Sequence, residues 1–418
     1  MAASARAAPV PPMSSGGNLR QVTLATVIAA ASGYVVLLLA ARQLGAASYA
    51  SFAVFWAAYG IVTGAQNGQL QETTRAIRSG AESGSRRPGF WRRPLGVNVA
   101  IGLGLALIVA ATSGLWAPHV FDADVGLSVA LLTVGVASFA VYAHLSGALS
   151  GTLSWRTFAA LLSFDALIRL AGAVTAFAMG LSLNAFLVIT VIGSVSWMLA
   201  LGGSSTARRV IGLDADVAAQ TFTINTLTAM AAALASAVLV MGFPVLIRIT
   251  APGSDDAAVI GAVILAVTLT RAPLLVPLNS FQGVLITRFV DRRTRLAAAL
   301  GIPLAAVLGV GLVGAIAAWA VGPWLLTTVF GGGYHLPGIT LAWFTIGATM
   351  LASLTISGAC VLAVGEHRWF ALGWWLATAA SIGLLFVPLG VQGRVAVALI
   401  VGPIVGVGVH IAGSLRAS

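Results

Sequence analysis

The sequence predicts an all-α polytopic membrane protein with about 12 transmembrane helices, divided into two halves of six. Three observations predict this. Of 418 residues, 59% are hydrophobic and only 8% charged, whereas a soluble domain carries roughly 25% charged residues. That is too little charge to coat a water-facing surface of this size. The apolar residues also fall in runs of about 20, the length a helix needs to cross the hydrocarbon core. Only helices and closed barrels satisfy their backbone groups in lipid, and the alternating ten-residue segments of a barrel are not seen. Finally, the arginines alternate in density from one connector to the next, as loops on opposite sides of a membrane do.

In chain order, residues 1–19 are small, polar and proline-rich and read as a disordered cytosolic tail. The apolar run that follows is too long for the core of a signal peptide. Spans are expected at 21–41, 50–70, 95–116, 125–149, 158–180 and 183–202. A connector over 204–221 leads to six more, at 222–246, 257–279, 297–320, 338–361, 369–389 and 395–414. The lobes are therefore expected over 20–203 and 222–418. The longest connector, 71–94, carries Arg75, Arg78, Arg86, Arg87, Arg92 and Arg93.

The net charge is +11 and all 22 cations are arginine. With the N-terminus inside, inner segments hold 17 of them: Arg6, Arg20, those six, Arg156, Arg208, Arg209, Arg288, Arg292, Arg293, Arg295, Arg368 and Arg416. Outer segments hold only Arg42, Arg248 and Arg394. The positive-inside rule then places both termini in the cytosol, for a multi-pass protein of the cytoplasmic membrane. The same rule accounts for the basic charge without any nucleic-acid partner. Asp122, Asp124, Asp255 and Asp256 fall outside. Six spans per half give the halves the same orientation, as parallel repeats. A faint echo supports this, because Arg42 with Gly45 and Ser48 follows span 1 as Arg248 with Gly253 and Ser254 follows span 7. The lone Cys360 excludes an intrachain disulfide, and the five histidines, His119, His144, His335, His367 and His410, show no ligand spacing. No cofactor or metal is expected.

Several segments carry a family resemblance. Ala41-Arg42-Gln43-Leu44-Gly45-Ala46-Ala47-Ser48-Tyr49-Ala50-Ser51-Phe52-Ala53 resembles the junction A-R-x-L-G-x-x-x-Y-G-x-F-A between the first two helices of polysaccharide exporters and flippases, a branch of the multidrug/oligosaccharidyl-lipid/polysaccharide (MOP) superfamily, with Ala50 in place of the usual glycine. Leu145-Ser146-Gly147-Ala148-Leu149-Ser150-Gly151, then Trp155-Arg156 and Leu167-Ile168-Arg169-Leu170, is similar to that branch's small-residue turn, basic connector and arginine-bearing fifth helix. Gly322-Pro323-Trp324-Leu325-Leu326-Thr327-Thr328-Val329-Phe330-Gly331-Gly332-Gly333-Tyr334 resembles its segment before helix ten. Leu362-Ala363-Val364-Gly365-Glu366-His367-Arg368 resembles its basic turn before helix eleven. The resemblance implies two six-helix lobes around a central cavity that opens alternately to each side. It also implies a lipid-linked glycan as cargo, with membrane lipids and a polysaccharide polymerase or glycosyltransferases as partners.

Charges inside spans are costly and usually face a cavity or a partner. Asp165 and Arg169 stand at i and i+4 on one helix face, with Arg169 roughly 16 Å into its span. Either they neutralise one another and lock the helix, or Asp165 orients Arg169 toward an anionic headgroup. Arg271 has no acid at helical spacing, and Pro273 and Pro277 nearby free backbone carbonyls. Either those carbonyls hold its guanidinium as a purely structural arrangement, or it lines the cavity of the second lobe opposite Arg169, in a discontinuous helix of the kind that recurs at transporter sites. Arg42 and Arg248 sit at corresponding outer ends, either snorkelling to phosphates or forming a cationic vestibule. Together the four make a cavity suited to a diphosphate, whose oxygens a guanidinium fork binds in pairs. Gln66, Asn67, Gln69 and Gln71 cluster at the inner end of span 2, with Asn225 near the start of span 7, and either bind sugar hydroxyls or bond across helices. Gly331-Gly332-Gly333 reads as a turn. Asp122-Ala123-Asp124 is too small an acidic loop for a metal-dependent transferase.

Three function classes follow. The leading one is a flippase for a polyprenyl-diphosphate-linked oligosaccharide, working by rocking of the two lobes. The alternative is a cation-coupled small-molecule antiporter, for which Asp165 is the one candidate coupling acid. An enzyme is the third, and the short connectors argue against it.

Overall fold

A computed structural model describes residues 15–83, 94–251, 256–291 and 296–417. Of the tail expected over 1–19, residues 1–14 lie outside the described residues, as do Arg86, Arg87, Arg92, Arg93, Arg292, Arg293 and Arg295 and the echo at Gly253 and Ser254, while 15–19 are not a tail but the first turn of a helix. The described chain is helical and crosses the bundle twelve times.

The first two crossings are α1 (Ser15–Ser83), two helices that meet at Gly45 without a loop. Gly45 has φ +69°, a left-handed conformation that a residue with a side chain rarely adopts. The expected connector over 42–49 is therefore helical on both sides of one glycine. Next come α2 (Pro94–Val120), α3 (Val125–Gly151) and α4 (Trp155–Ala178). The sixth crossing is broken: α5 (Leu183–Ile192), a 3-10 turn over Gly193–Val195, then α6 (Ser196–Gly203). A short α7 (Ser205–Val210) occupies the connector, capped by the Ser204 hydroxyl, which accepts from the Ala207 N–H at 3.2 Å.

The seventh crossing is also broken, into α8 (Ala219–Val240) and α9 (Phe243–Thr250). Gly242 and Pro244 form the joint, and proline in the first turn of α9 cannot continue the ladder of α8. Then follow α10 (Ala257–Asp291), α11 (Leu296–Phe330), α12 (Gly338–Ala363), α13 (His367–Leu384) and α14 (Val391–Ala417). Both α10 and α11 run well past their expected ends. The discontinuous helix expected around Pro273 and Pro277 is instead one continuous α10. Proline costs a helix one internal hydrogen bond, and neighbouring helices and hydroxyls re-satisfy the freed groups inside a membrane bundle.

Two six-crossing lobes result. α12 is the buried hub of the second, packed on α10, α11 and α14. Long apolar side chains on the outward helices, such as Leu107, Val313, Ile316 and Trp324, are exposed, as lipid-facing positions should be. The lobes meet along α1. Gly60, Gly64 and Gly68, one turn apart, lie against Met241, just past the end of α8, and Ala237 and Met230 within it. A Cβ at Gly68 would collide with the Met230 backbone, so only glycine permits this approach. An even number of crossings puts both ends of the chain on one face, the terminal face. Gly45 lies on the far face.

Candidate functional site

The second limb of α1 brings Tyr49, Trp56 and Ala57 to the middle of the molecule, and the first limb brings Ala29, Gly33 and Tyr34. The α8–α9 joint adds Met241 and Pro244, and α10 adds Val267, Thr268, Arg271 and Leu275. Both lobes thus contribute to one cavity of about 290 Å³. Among its described lining residues Arg271 is the only charge.

Arg271 is 7% exposed. Its Nη1 donates to the carbonyls of Val240 at 2.9 Å and Leu239 at 3.4 Å. These belong to the last turn of α8, where carbonyls lack intrahelical donors and carry the negative end of the helix dipole. The carbonyls that hold Arg271 are therefore freed by the Gly242 break, not by the prolines of its own helix. Its guanidinium carbon lies 4.9 Å from the centre of the Phe243 ring. Its Nε and Nη2 are buried without a hydrogen-bond partner among the described residues. A buried charge with idle donors costs several kcal/mol and attracts an anion.

The other expected cavity residues lie elsewhere. Asp165 and Arg169 pair within α4 at 2.7 Å, with side chains 13% and 18% exposed. They press on Gly193 in the broken sixth crossing, where any side chain would strike both. Arg42 is exposed on the far face and donates to the Val329 carbonyl at 2.5 Å. Arg248 forms an ion pair with Asp122 of the other lobe. The four guanidiniums expected in one cavity are thus not gathered; only Arg271 lines it. Arg42 and Arg248 instead tie the lobes together on the far face. There the Tyr334 hydroxyl donates to the Ala41 carbonyl at 2.8 Å, and Gly261 lies directly on the Ala46 carbonyl.

The amides divide by helix face. Gln66 donates to the Val136 carbonyl and Gln69 to the Asn98 carbonyl, both at 3.0 Å and both buried inside the first lobe. Asn67 and Gln71 are exposed on the opposite face, in a second opening of about 600 Å³ that adjoins α8, α12 and α13. Asn225 donates to Glu72 at 3.1 Å, and Glu72 accepts two bonds from Arg75, which also reaches Asp216 of the connector. This cluster joins the lobes on the terminal face.

Sequence reasoning missed two buried histidine networks. The Asn98 amide donates to the Thr73 hydroxyl at 2.8 Å and to His144 Nδ1 at 3.1 Å. His144 Nε2 then donates to the Ile211 carbonyl at 3.0 Å, pinning the connector. In the second lobe His410 lies between Ser357 at 3.0 Å and the Phe370 carbonyl at 3.1 Å. The partners are far apart in the chain, so residue spacing carried no signal of them.

No family model matches the chain. It is 44% identical over 402 residues to the uncharacterized protein Rv3630 of Mycobacterium tuberculosis (strain H37Rv), covering 96% of this chain and 93% of that one. It is 46% identical over 413 residues to the uncharacterized protein Rv1510 of the same strain, covering 99% and 94%. The chain belongs to the family of these mycobacterial proteins. Among solved structures, the family member aligns with an inward-facing multidrug resistance MATE-family transporter of the MOP superfamily at TM-score 0.71 and 14% identity, over 94% of this chain and 98% of that one. It aligns with the lipid II flippase MurJ in an inward closed conformation at TM-score 0.68 and 14% identity, over 95% and 89%. A Pyrococcus furiosus MOP transporter, whose reverse binding-pocket polarity is taken to suggest a different function, aligns at TM-score 0.65 and 15% identity over 96% and 95%. At these identities the likeness shows the fold: this family member has the architecture of MOP-superfamily transporters.

Proposed function

We propose that this protein is a flippase that carries a polyprenyl-diphosphate-linked glycan across the cytoplasmic membrane by alternating access. One observation carries the reading. A buried guanidinium with two idle donors lines a cavity built by both lobes, and none of the described lining residues is acidic. Such a site favours an anion, and a diphosphate offers the paired oxygens a guanidinium fork prefers. The arginine asymmetry supports a cytosolic terminal face, so the far-face contacts close the outward side in this conformation. Rocking about the α1–α8 glycine seam would exchange which side is closed. The four sequence resemblances to exporters and flippases, and the MurJ fold likeness, point to the same cargo class.

The cation-coupled antiporter is the second reading, favoured by the MATE fold likeness. It needs an available intramembrane acid, and Asp165 is spent on Arg169.

The test is reconstitution in liposomes with a fluorescent polyprenyl-diphosphate oligosaccharide and, separately, a cationic dye. The flippase reading expects the lipid to be translocated in an Arg271-dependent manner and the dye to be ignored. Dye export that depends on Asp165, with no lipid translocation, would replace it by the antiporter.

A further inference from the structure

The opening beside the central cavity has a chemistry of its own. It lies toward the terminal face, between the second limb of α1, the middle of α8 and the facing parts of α12 and α13. Its volume of about 600 Å³ falls within the roughly 300–1,000 Å³ of small-molecule sites. Val240 and Met241 line both this groove and the Arg271 cavity, so the two adjoin at the α8–α9 joint.

No described residue lining the groove is charged. What it offers instead is neutral hydrogen bonding beside aromatic rings. Asn67 and Gln71 stand one turn apart on an exposed helix face, and neither amide has a protein partner among the described residues. Each amide brings two donors and an acceptor. The Ser236 and Thr355 hydroxyls donate to their own helices, at 2.9 and 3.0 Å, leaving lone pairs to accept. Trp374 is 4% exposed, yet its indole Nε1 has no partner among the described residues. A buried indole N–H normally finds an acceptor. Phe370 stands edge-on to Trp374 at 6.4 Å and is held from behind by a parallel stack on His410.

We infer that this groove is a sugar-binding subsite for a neutral part of the glycan. Hydroxyl groups pair with amides and with an idle indole N–H, while the weakly positive C–H face of a pyranose lies against the negative face of an aromatic ring. An ion has no counter-charge here, and an alkyl chain would strand the amides and the indole. The inference rests on the flippase reading for its ligand: the diphosphate sits at Arg271 and the first sugars extend into the groove.

The test uses the full-length protein in nanodiscs, incubated with polyprenyl-diphosphate-linked glycans extracted from the producing cells together with synthetic polyprenyl diphosphate as a sugar-free competitor. Bound lipids are quantified by mass spectrometry. Wild type should prefer the glycosylated lipid. Asn67→Ala and Gln71→Ala should each reduce that preference about fivefold, as expected for one lost hydrogen bond, with sugar-free lipid retained. Trp374→Phe keeps an aromatic ring in place and removes the N–H donor and part of the ring area; it should reduce the preference severalfold while sugar-free lipid is retained. Arg271→Ala should lose both lipids while keeping their ratio. An unchanged preference in the three groove variants, or no preference in wild type, overturns the sugar subsite and leaves the diphosphate reading standing. Full retention of both lipids by Arg271→Ala overturns the diphosphate reading instead.

Discussion

Replacing Arg271 separates its two tasks, holding the end of α8 and holding the ligand. Nη1 caps the Val240 and Leu239 carbonyls, while Nε and Nη2 are idle. A phosphate charge about 4 Å from the guanidinium gains on the order of 4 kcal/mol at an effective dielectric constant of 20. Truncating one partner of a buried, hydrogen-bonded charge pair costs about 2–5 kcal/mol in binding. Arg271→Ala should therefore weaken polyprenyl-diphosphate binding roughly 30- to 5,000-fold, at about 1.4 kcal/mol per factor of ten. Arg271→Lys keeps the charge but cannot cap two carbonyls and present a fork at once. It should lose about tenfold or more, the worth of one charge-assisted hydrogen bond. The assay is equilibrium binding in nanodiscs of polyprenyl diphosphate against the uncharged polyprenol. Polyprenol binding should be indifferent to both substitutions. Diphosphate binding within threefold of wild type in Arg271→Ala would refute the reasoning, since no other charge lines the cavity among its described residues.

Three further outcomes follow from the packing. Arg169→Ala strands a largely buried Asp165 and should cost about 3–5 kcal/mol of stability, whereas Asp165→Leu with Arg169→Met should be near neutral; thermal unfolding in detergent reads both. Gly261→Ala places a methyl group against the Ala46 carbonyl, which should destabilise far-face closure by about 1–3 kcal/mol and lengthen far-face inter-lobe distances between spin labels. Asp122→Asn removes the ion partner of Arg248. Both side chains are partly exposed, so the closed population should fall only about two- to fivefold, and less at high salt, by the same distance measurement.

The membrane architecture was legible because it depends on run length and on charge counts, which are local or additive properties of the chain. Twelve crossings could be read from apolar runs even though α1 folds back at a single glycine. Helix ends were less legible: α10 continues through Pro273 and Pro277 to Asp291, past the point where the prolines and the end of the apolar run suggested a stop. The site was legible in part. Arg271 stood out as a charge without an acid on its own helix. What holds it is the broken end of α8, thirty residues away, and that break depends on how Gly242 and Pro244 pack. The i, i+4 spacing showed that Asp165 and Arg169 share a face, but not which way that face turns. The amide cluster read as one feature, and helical periodicity splits it: Gln66 and Gln69 turn into the first lobe while Asn67 and Gln71 face the groove. His144 and His410 gave no signal, because their partners come together only in the tertiary fold.

Alternating exposure of the Arg271 cavity is the central claim, and cysteine accessibility tests it most directly. Cys360 is the only cysteine and is buried, so Cys360→Ala gives a background for single cysteines at Thr268 and Tyr34, which line the cavity. Membrane-impermeant thiol reagents would be applied from each side of sealed vesicles, with and without polyprenyl diphosphate. The account predicts that both positions react from the terminal face in this conformation, react from the far face once Gly261→Ala weakens closure, and are protected by the diphosphate lipid. Labelling from neither face, or labelling indifferent to the lipid, would contradict it.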